Sequence, residues 1–81
     1  MKLYVGNLPY RITEGELSEL FSTCGEVVDV RIIKDRETRR SRGFGFVEMA
    51  TEEEGKKAIE ELNQKEVMGR NIVVNKAKPR M

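Results

Sequence analysis

The stretch Arg42-Gly43-Phe44-Gly45-Phe46-Val47-Glu48-Met49 sorts its residues by parity. In a strand, successive side chains point to opposite faces. Phe44 and Phe46 then share a face with Arg42 and Glu48, while Gly43, Gly45, Val47 and Met49 share the other. The inverted assignment would bury Arg42 and Glu48 and expose Val47 and Met49, so parity puts the two phenylalanines on the open side. Near the N-terminus, Leu3 and Val5 flank Tyr4, which sends Tyr4 outward with Lys2. The chain has two tyrosines and three phenylalanines, so most of its rings face away from a core. Rings held on a sheet surface and bordered by Arg and Lys stack on unpaired bases.

Other chemistries are removed by composition. The chain contains no His and one cysteine, Cys24. A Ser-His-Asp triad, a His proton shuttle and a His- or Cys-rich metal or iron–sulfur site therefore cannot be built. Gly43 and Gly45 start a dinucleotide-type glycine pattern, but Glu48 takes the third glycine position. No metal, cofactor or enzymatic activity is expected. A lone cysteine forms no internal disulfide, which fits a reducing compartment. No apolar run reaches the roughly 20 residues of a membrane span, and the start Met-Lys-Leu-Tyr-Val-Gly has no signal-peptide pattern.

The elements that must hold the rings follow from periodicity. Thr13 with Glu16 forms a capping-box pattern before Leu17, Leu20, Phe21 and Cys24, and Gly25 follows as a left-handed stop. Thr51 with Glu54 repeats the box before Gly55, Ala58, Ile59 and Leu62. Each predicted helix has one apolar stripe, with Leu17, Leu20, Phe21, Ile59 and Leu62 as its large members. Between them, Val28, Val30 and Ile32 alternate with Asp29 and Arg31, and Ile72 and Val74 flank Val73. Residues 63–69 read as a turn or short hairpin. The order strand, helix, strand, strand, helix, strand is that of an α+β, ferredoxin-like sandwich. It carries two helices on one face of a four-stranded antiparallel sheet, in a single domain over residues 1–81. Gly43 and Gly45 are expected to let the helices lie close on that sheet.

A net charge of +1 hides a strong asymmetry. Arg31, Lys34, Arg36, Arg39, Arg40 and Arg42 outweigh Asp35 and Glu37, and Arg70, Lys76, Lys78 and Arg80 end the chain with no acid. The two helical segments are acidic, with Glu14, Glu16 and Glu19 in the first and five glutamates against Lys56 and Lys57 in the second. Such a bipolar molecule binds a polyanion in one orientation despite its low net charge.

The octamer from Arg42 to Met49 resembles the signature of the RNA-recognition-motif family at every position but the last. Leu3-Tyr4-Val5-Gly6-Asn7-Leu8 resembles that family's companion hexamer. The resemblance spans essentially the whole chain. Met49 and Cys24 stand where the family commonly has aromatics, and both positions belong to the core side. The resemblance implies that single-stranded RNA is the ligand, with single-stranded DNA served by the same stacking. It implies base stacking by Tyr4 and Phe44, sugar packing by Phe46 and phosphate contact by Arg42. Asn7 and Glu48 would hydrogen-bond base edges, and Asn75, Ala77 and Lys78 would read bases where the last strand leaves the sheet. Arg39 and Arg40 would clamp the strand from the loop over residues 35–41, and Lys2 and Arg31 would border the platform. The family's small bacterial members further imply a monomer in the cytoplasm, with the nucleus second, acting in post-transcriptional regulation or RNA chaperoning. The alternative is a protein–protein interaction module on the same fold. An acylphosphatase-like enzyme shares the topology, but its phosphate-cradling loop finds no counterpart beyond Gly6-Asn7-Leu8-Pro9-Tyr10-Arg11, which lies in and beside the hexamer.

Overall fold

A computed structural model describes residues 1–34 and 41–77, with Lys34, Ser41 and Arg42 described through their backbone. The chain runs β1 (Lys2–Gly6), α1 (Glu14–Ser22), β2 (Val27–Lys34), β3 (Ser41–Met49), α2 (Glu52–Leu62), β4 (Glu66–Val67), β5 (Arg70–Asn71) and β6 (Val73–Lys76). The order in the main sheet is β2-β3-β1-β6, with β1–β3, β1–β6 and β2–β3 all antiparallel. This is the expected α+β sandwich, with β1 and β3 at its centre. The short β4–β5 ribbon forms a sheet of its own. Its Met68-Gly69 turn has φ of 50° and 84°, the pair of positive angles that lets a two-residue hairpin match strand twist.

Both helices begin where the caps require. The Thr13 hydroxyl accepts from Glu16 N at 3.1 Å, and Glu16 Oε1 accepts from Thr13 N at 3.3 Å, closing the box. At α2, Thr51 Oγ1 accepts from Glu54 N at 3.2 Å. The Glu54 carboxylate does not simply close a second box. It takes the Thr51 hydroxyl at 3.0 Å and Glu26 N at 2.6 Å, which ties the start of α2 to the entry of β2. These two donors, Glu26 N first, hold the Glu54 carboxyl below its ordinary value. The α1 stop also differs from expectation. The C-cap Thr23 is right-handed, and Gly25 is near-extended at φ 158°, with Glu54 filling the space a Cβ would need. Asn63 closes α2, and its Oδ1 accepts from Val74 N at 3.0 Å, joining the helix end to β6.

The core lies between sheet and helices. Leu3, Val5, Val47, Met49, Ile72 and Val74 from the sheet side meet Leu17, Phe21, Ala58 and Leu62, with Leu8 and Ile12 closing one end. Leu20 and Ile59 are only partly buried against this cluster, so they carry less of the core than their helical spacing implied. Val28 is 57% exposed. The register explains it: Val27 pairs with Met49 and Asp29 with Glu48, leaving Val28 as the extra residue of a bulge. From Val30 onward the alternation resumes, and Ile32 is buried.

Candidate nucleic-acid interface

The open face of β1 and β3 is built by the same parity that fills the core behind it. Tyr4 pairs with Phe46 and Gly6 with Phe44 across the central strands. Side chains directly opposite, and those diagonal by two residues, lie within reach of aromatic rings. Tyr4 thus meets both phenylalanines, with ring centroids 6.0 Å from Phe44 and 6.1 Å from Phe46. Phe44 and Phe46 are 6.3 Å apart at 89°, an edge-to-face pair. Offset and edge-to-face pairs add about 0.5–1.5 kcal/mol beyond the area they bury. The three rings therefore brace one another without support from the core. Tyr4 remains 37% exposed, and both phenylalanines are half-buried.

The glycines around the rings have specific tasks. Gly6 lies beneath the Tyr4 ring, and an added Cβ there would come within 2.9 Å of it. Gly43 adopts φ 84°, a left-handed conformation that a larger side chain would strain. At Gly45, a Cβ would collide with the Arg31 carbonyl and crowd Ile32 Cα. The two octamer glycines therefore answer to backbone conformation and to the close approach of β2, not to helix packing as expected.

Charged and polar groups frame the rings. Lys2 Nζ stands 5.0 Å from the Phe46 centroid, a cation–π distance. Arg31 pairs with Phe46 in register, and its Nε meets Asp29 Oδ2 at 3.3 Å in a well-exposed pair. Such a pair is worth about 0–1 kcal/mol and yields readily to a competing anion. Glu48 is exposed opposite Lys2 at the far end of β3. Asn75 sits opposite Tyr4 on β6, and its Oδ1 accepts from Lys76 N at 2.8 Å. Ala77 N donates to Lys2 O at 3.0 Å, so the chain leaves the sheet beside the platform.

Asn7 is placed differently from a free base reader. It sits just past β1 at φ 53°, and its Nδ2 donates to Asn71 O at 2.8 Å, latching the β4–β5 ribbon to the end of β1. The structure thus brings Lys2, Tyr4, Arg31, Phe44, Phe46, Glu48, Asn75 and Ala77 onto one face or its border, with Asn7 at the end. The backbone of Arg42 continues β3 beyond Phe44. Arg39, Arg40 and Lys78 lie outside the described residues. Sequence reasoning gave no role to Tyr10 and counted Arg70 only within the basic C-terminal run, although the guanidinium carbon of Arg70 lies 4.9 Å from the Tyr10 centroid. An aromatic in a Pro-containing loop and the charge of the C-terminal run were their only signals, and the pairing was hidden because Arg70 is distant in sequence. Cys24 is buried, its Sγ donating to Glu61 Oε2 at 3.3 Å, and burial pushes the thiol up. Among the described residues, no cluster of His, Cys, Asp or Glu is arranged to hold a metal.

Comparison with known proteins agrees with this geometry. The family model for the RNA recognition motif matches residues 3–73. The chain is 54% identical over 80 residues to a putative RNA-binding protein, RbpA, of Nostoc, covering 99% of this chain and 78% of that protein. It is 54% identical over 74 residues to the chloroplastic RNA-binding protein CP33 of Arabidopsis thaliana, covering 91% of this chain but 22% of CP33's length. The crystal structure of RNA binding protein PG1 superposes with a TM-score of 0.93 at 51% identity, covering 100% of this chain and 98% of that one. A Sxl-lethal protein–RNA complex also superposes at 0.93, with 34% identity over 99% of this chain and 48% of that one.

Proposed function

This chain belongs to the RNA recognition motif family, and from that premise we propose that it binds single-stranded RNA across the open face of its sheet. Residues 1–81 act as one domain, a binding module and not an enzyme. The observation that carries the reading is the ring triad: three aromatics within 6.3 Å of one another on the face opposite the core. An exposed apolar cluster of this kind is costly to leave in water unless a ligand covers it. Unpaired bases suit it, because every base has a π-face and stacking contributes about 1–3 kcal/mol per base.

In this reading Tyr4 and Phe44 each stack a base, and Phe46 packs against sugars. Lys2, Arg31 and Arg42 hold phosphates, which position the strand without reading its sequence. Glu48, Asn75, Ala77 and Lys78 meet base edges, while Asn7 contributes chiefly by fixing the loop beside them. Arg39 and Arg40 clamp the backbone. Single-stranded DNA competes through the same stacking, less tightly where 2′-hydroxyl contacts count. The protein acts as a cytoplasmic monomer in post-transcriptional control. Among the described residues, no helix is long and apolar enough to cross a membrane.

Titrating the isotope-labelled chain with a short single-stranded RNA and following amide resonances tests the assignment. The largest changes are expected at Tyr4, Phe44, Phe46 and their strand neighbours. A response confined to the outer faces of α1 and α2 would overturn it and favour a helix-side protein-docking module.

A further inference from the structure

The geometry points to an additional nucleotide subsite beyond the Phe44 end of the sheet, built by Tyr10 and Arg70. It rests on the RNA-binding reading and extends it. Leu8 N donates to Gly43 O at 2.8 Å, which lays the loop after β1 alongside the residue preceding Phe44. The Tyr10 ring reaches that glycine, lying 3.9 Å from where its Cβ would stand. Tyr10 is nevertheless 62% exposed, the most exposed large hydrophobic residue among those described. Among the described residues, the Arg70 guanidinium lies over its ring, 4.9 Å from the centroid.

Arg70 is held in place rather than free to wander. Its Nη1 donates to Leu8 O at 3.3 Å, and the next residue, Asn71, accepts the Asn7 amide at 2.8 Å. The ribbon is thus fastened to the end of β1 at two adjacent points, which fixes a cation against an exposed ring. Around them lies an open cavity of about 260 Å³, lined by Pro9, Tyr10, Arg11, Met68 and Arg70. Among the described residues, its lining includes two cations, Arg11 and Arg70, and no carboxylate. The adjoining hollow, which shares Met68, is lined by Glu16 and Glu19 as well as Ile12, Leu20 and Val67, and its carboxylates repel a phosphodiester. A strand running off Phe44 is therefore drawn to the Tyr10 side. There Tyr10 stacks a base, while Arg70 and Arg11 face its phosphates. Continuity with the platform and the sign of the charge select RNA over an apolar peptide as the occupant.

The test uses the full chain and uridine oligomers of about 4 and about 8 nucleotides, one short enough for the platform alone and one long enough to run past it. Wild type is expected to bind the longer oligomer more tightly than the number of binding registers explains. Tyr10→Ala should remove that gain, a loss on the order of tenfold for the long oligomer, and leave the short one unchanged. Tyr10→Phe should keep the gain, and thermal unfolding should not move in either variant. Phe44→Ala, in contrast, should weaken both oligomers. If Tyr10→Ala leaves the long oligomer untouched, or weakens both lengths equally, the subsite is refuted while platform binding stands. If wild type binds neither oligomer, both readings fall.

Discussion

At the residue scale, identical residue types do unrelated work at different positions of the chain. Phe21 is fully buried in the core, whereas Phe44 and Phe46 sit in the ring triad on the opposite face. Gly43 and Gly45 differ in the same way, one satisfying a left-handed φ and the other the nearness of the Arg31 carbonyl. Because the obstacle at Gly45 is backbone, Gly45→Ala should cost about 1–3 kcal/mol in urea unfolding, the range for overpacking a fixed site. An unchanged midpoint would mean that β2 can retreat from β3 without penalty. Cys24 makes the complementary case. It is 5% exposed, and desolvation disfavours its thiolate, so a thiol reagent should label the native chain slowly and the urea-unfolded chain fast. Parity from sequence found the rings because burial follows it strictly from Lys2 to Val5 and from Phe44 to Met49. Sequence could not reveal why the glycines are there, because the atoms that Gly45 avoids belong to a strand more than ten residues away.

At the element scale, the helices contribute stability and little else to the proposed site. Leu17 and Leu62 are buried where Leu20 and Ile59 are half-buried. Leu17→Ala and Leu62→Ala should each cost about 2–5 kcal/mol by opening a cavity, with RNA affinity of the folded fraction unchanged. The apolar spacing of α1 and α2 was legible, but the depth of each stripe member depends on where the sheet ends, which spacing does not encode. The same holds for Val28, displaced outward by a bulge that leaves the β2 sequence pattern intact. Glu54 joins α2 to β2 through Glu26 N, and its folded carboxyl titrates lower than in the unfolded chain. A depressed carboxyl contributes stability above its ordinary value of 4.5 and loses it as the pH falls through the lower folded value. The stability gap between wild type and Glu54→Gln should therefore be widest near neutral pH and close on acidification below 4.5. A gap independent of pH would show that the carboxylate's charge does not matter there.

At the scale of the whole molecule, shape and charge agree on an orientation. The exposed glutamates Glu14, Glu16, Glu19, Glu52, Glu53, Glu60 and Glu61 belong to the helix layer, and the rings lie on the other side of the sheet. A polyanion approaching from the helix side is repelled, so the rings are met first. Among the described residues of the open face itself, Lys2 and Arg31 are balanced by Asp29 and Glu48. The cationic surplus therefore belongs to the 35–42 segment and the C-terminal tail, as the distribution of charge along the sequence implies. Replacing Arg39 and Arg40 with alanine should lower affinity similarly for all RNA sequences and flatten the log–log salt dependence by about 0.7 for each phosphate no longer neutralised. An unchanged slope would remove that loop from the interface. The central claim is that Tyr4, Phe44 and Phe46 bind RNA and do not support the fold. Measuring single-stranded RNA affinity and thermal stability together for Tyr4→Ala, Phe44→Ala and Phe46→Ala tests it most directly. Each substitution is predicted to weaken binding by about 1–3 kcal/mol with the folded state intact, and wild-type affinity in all three folded variants would contradict it.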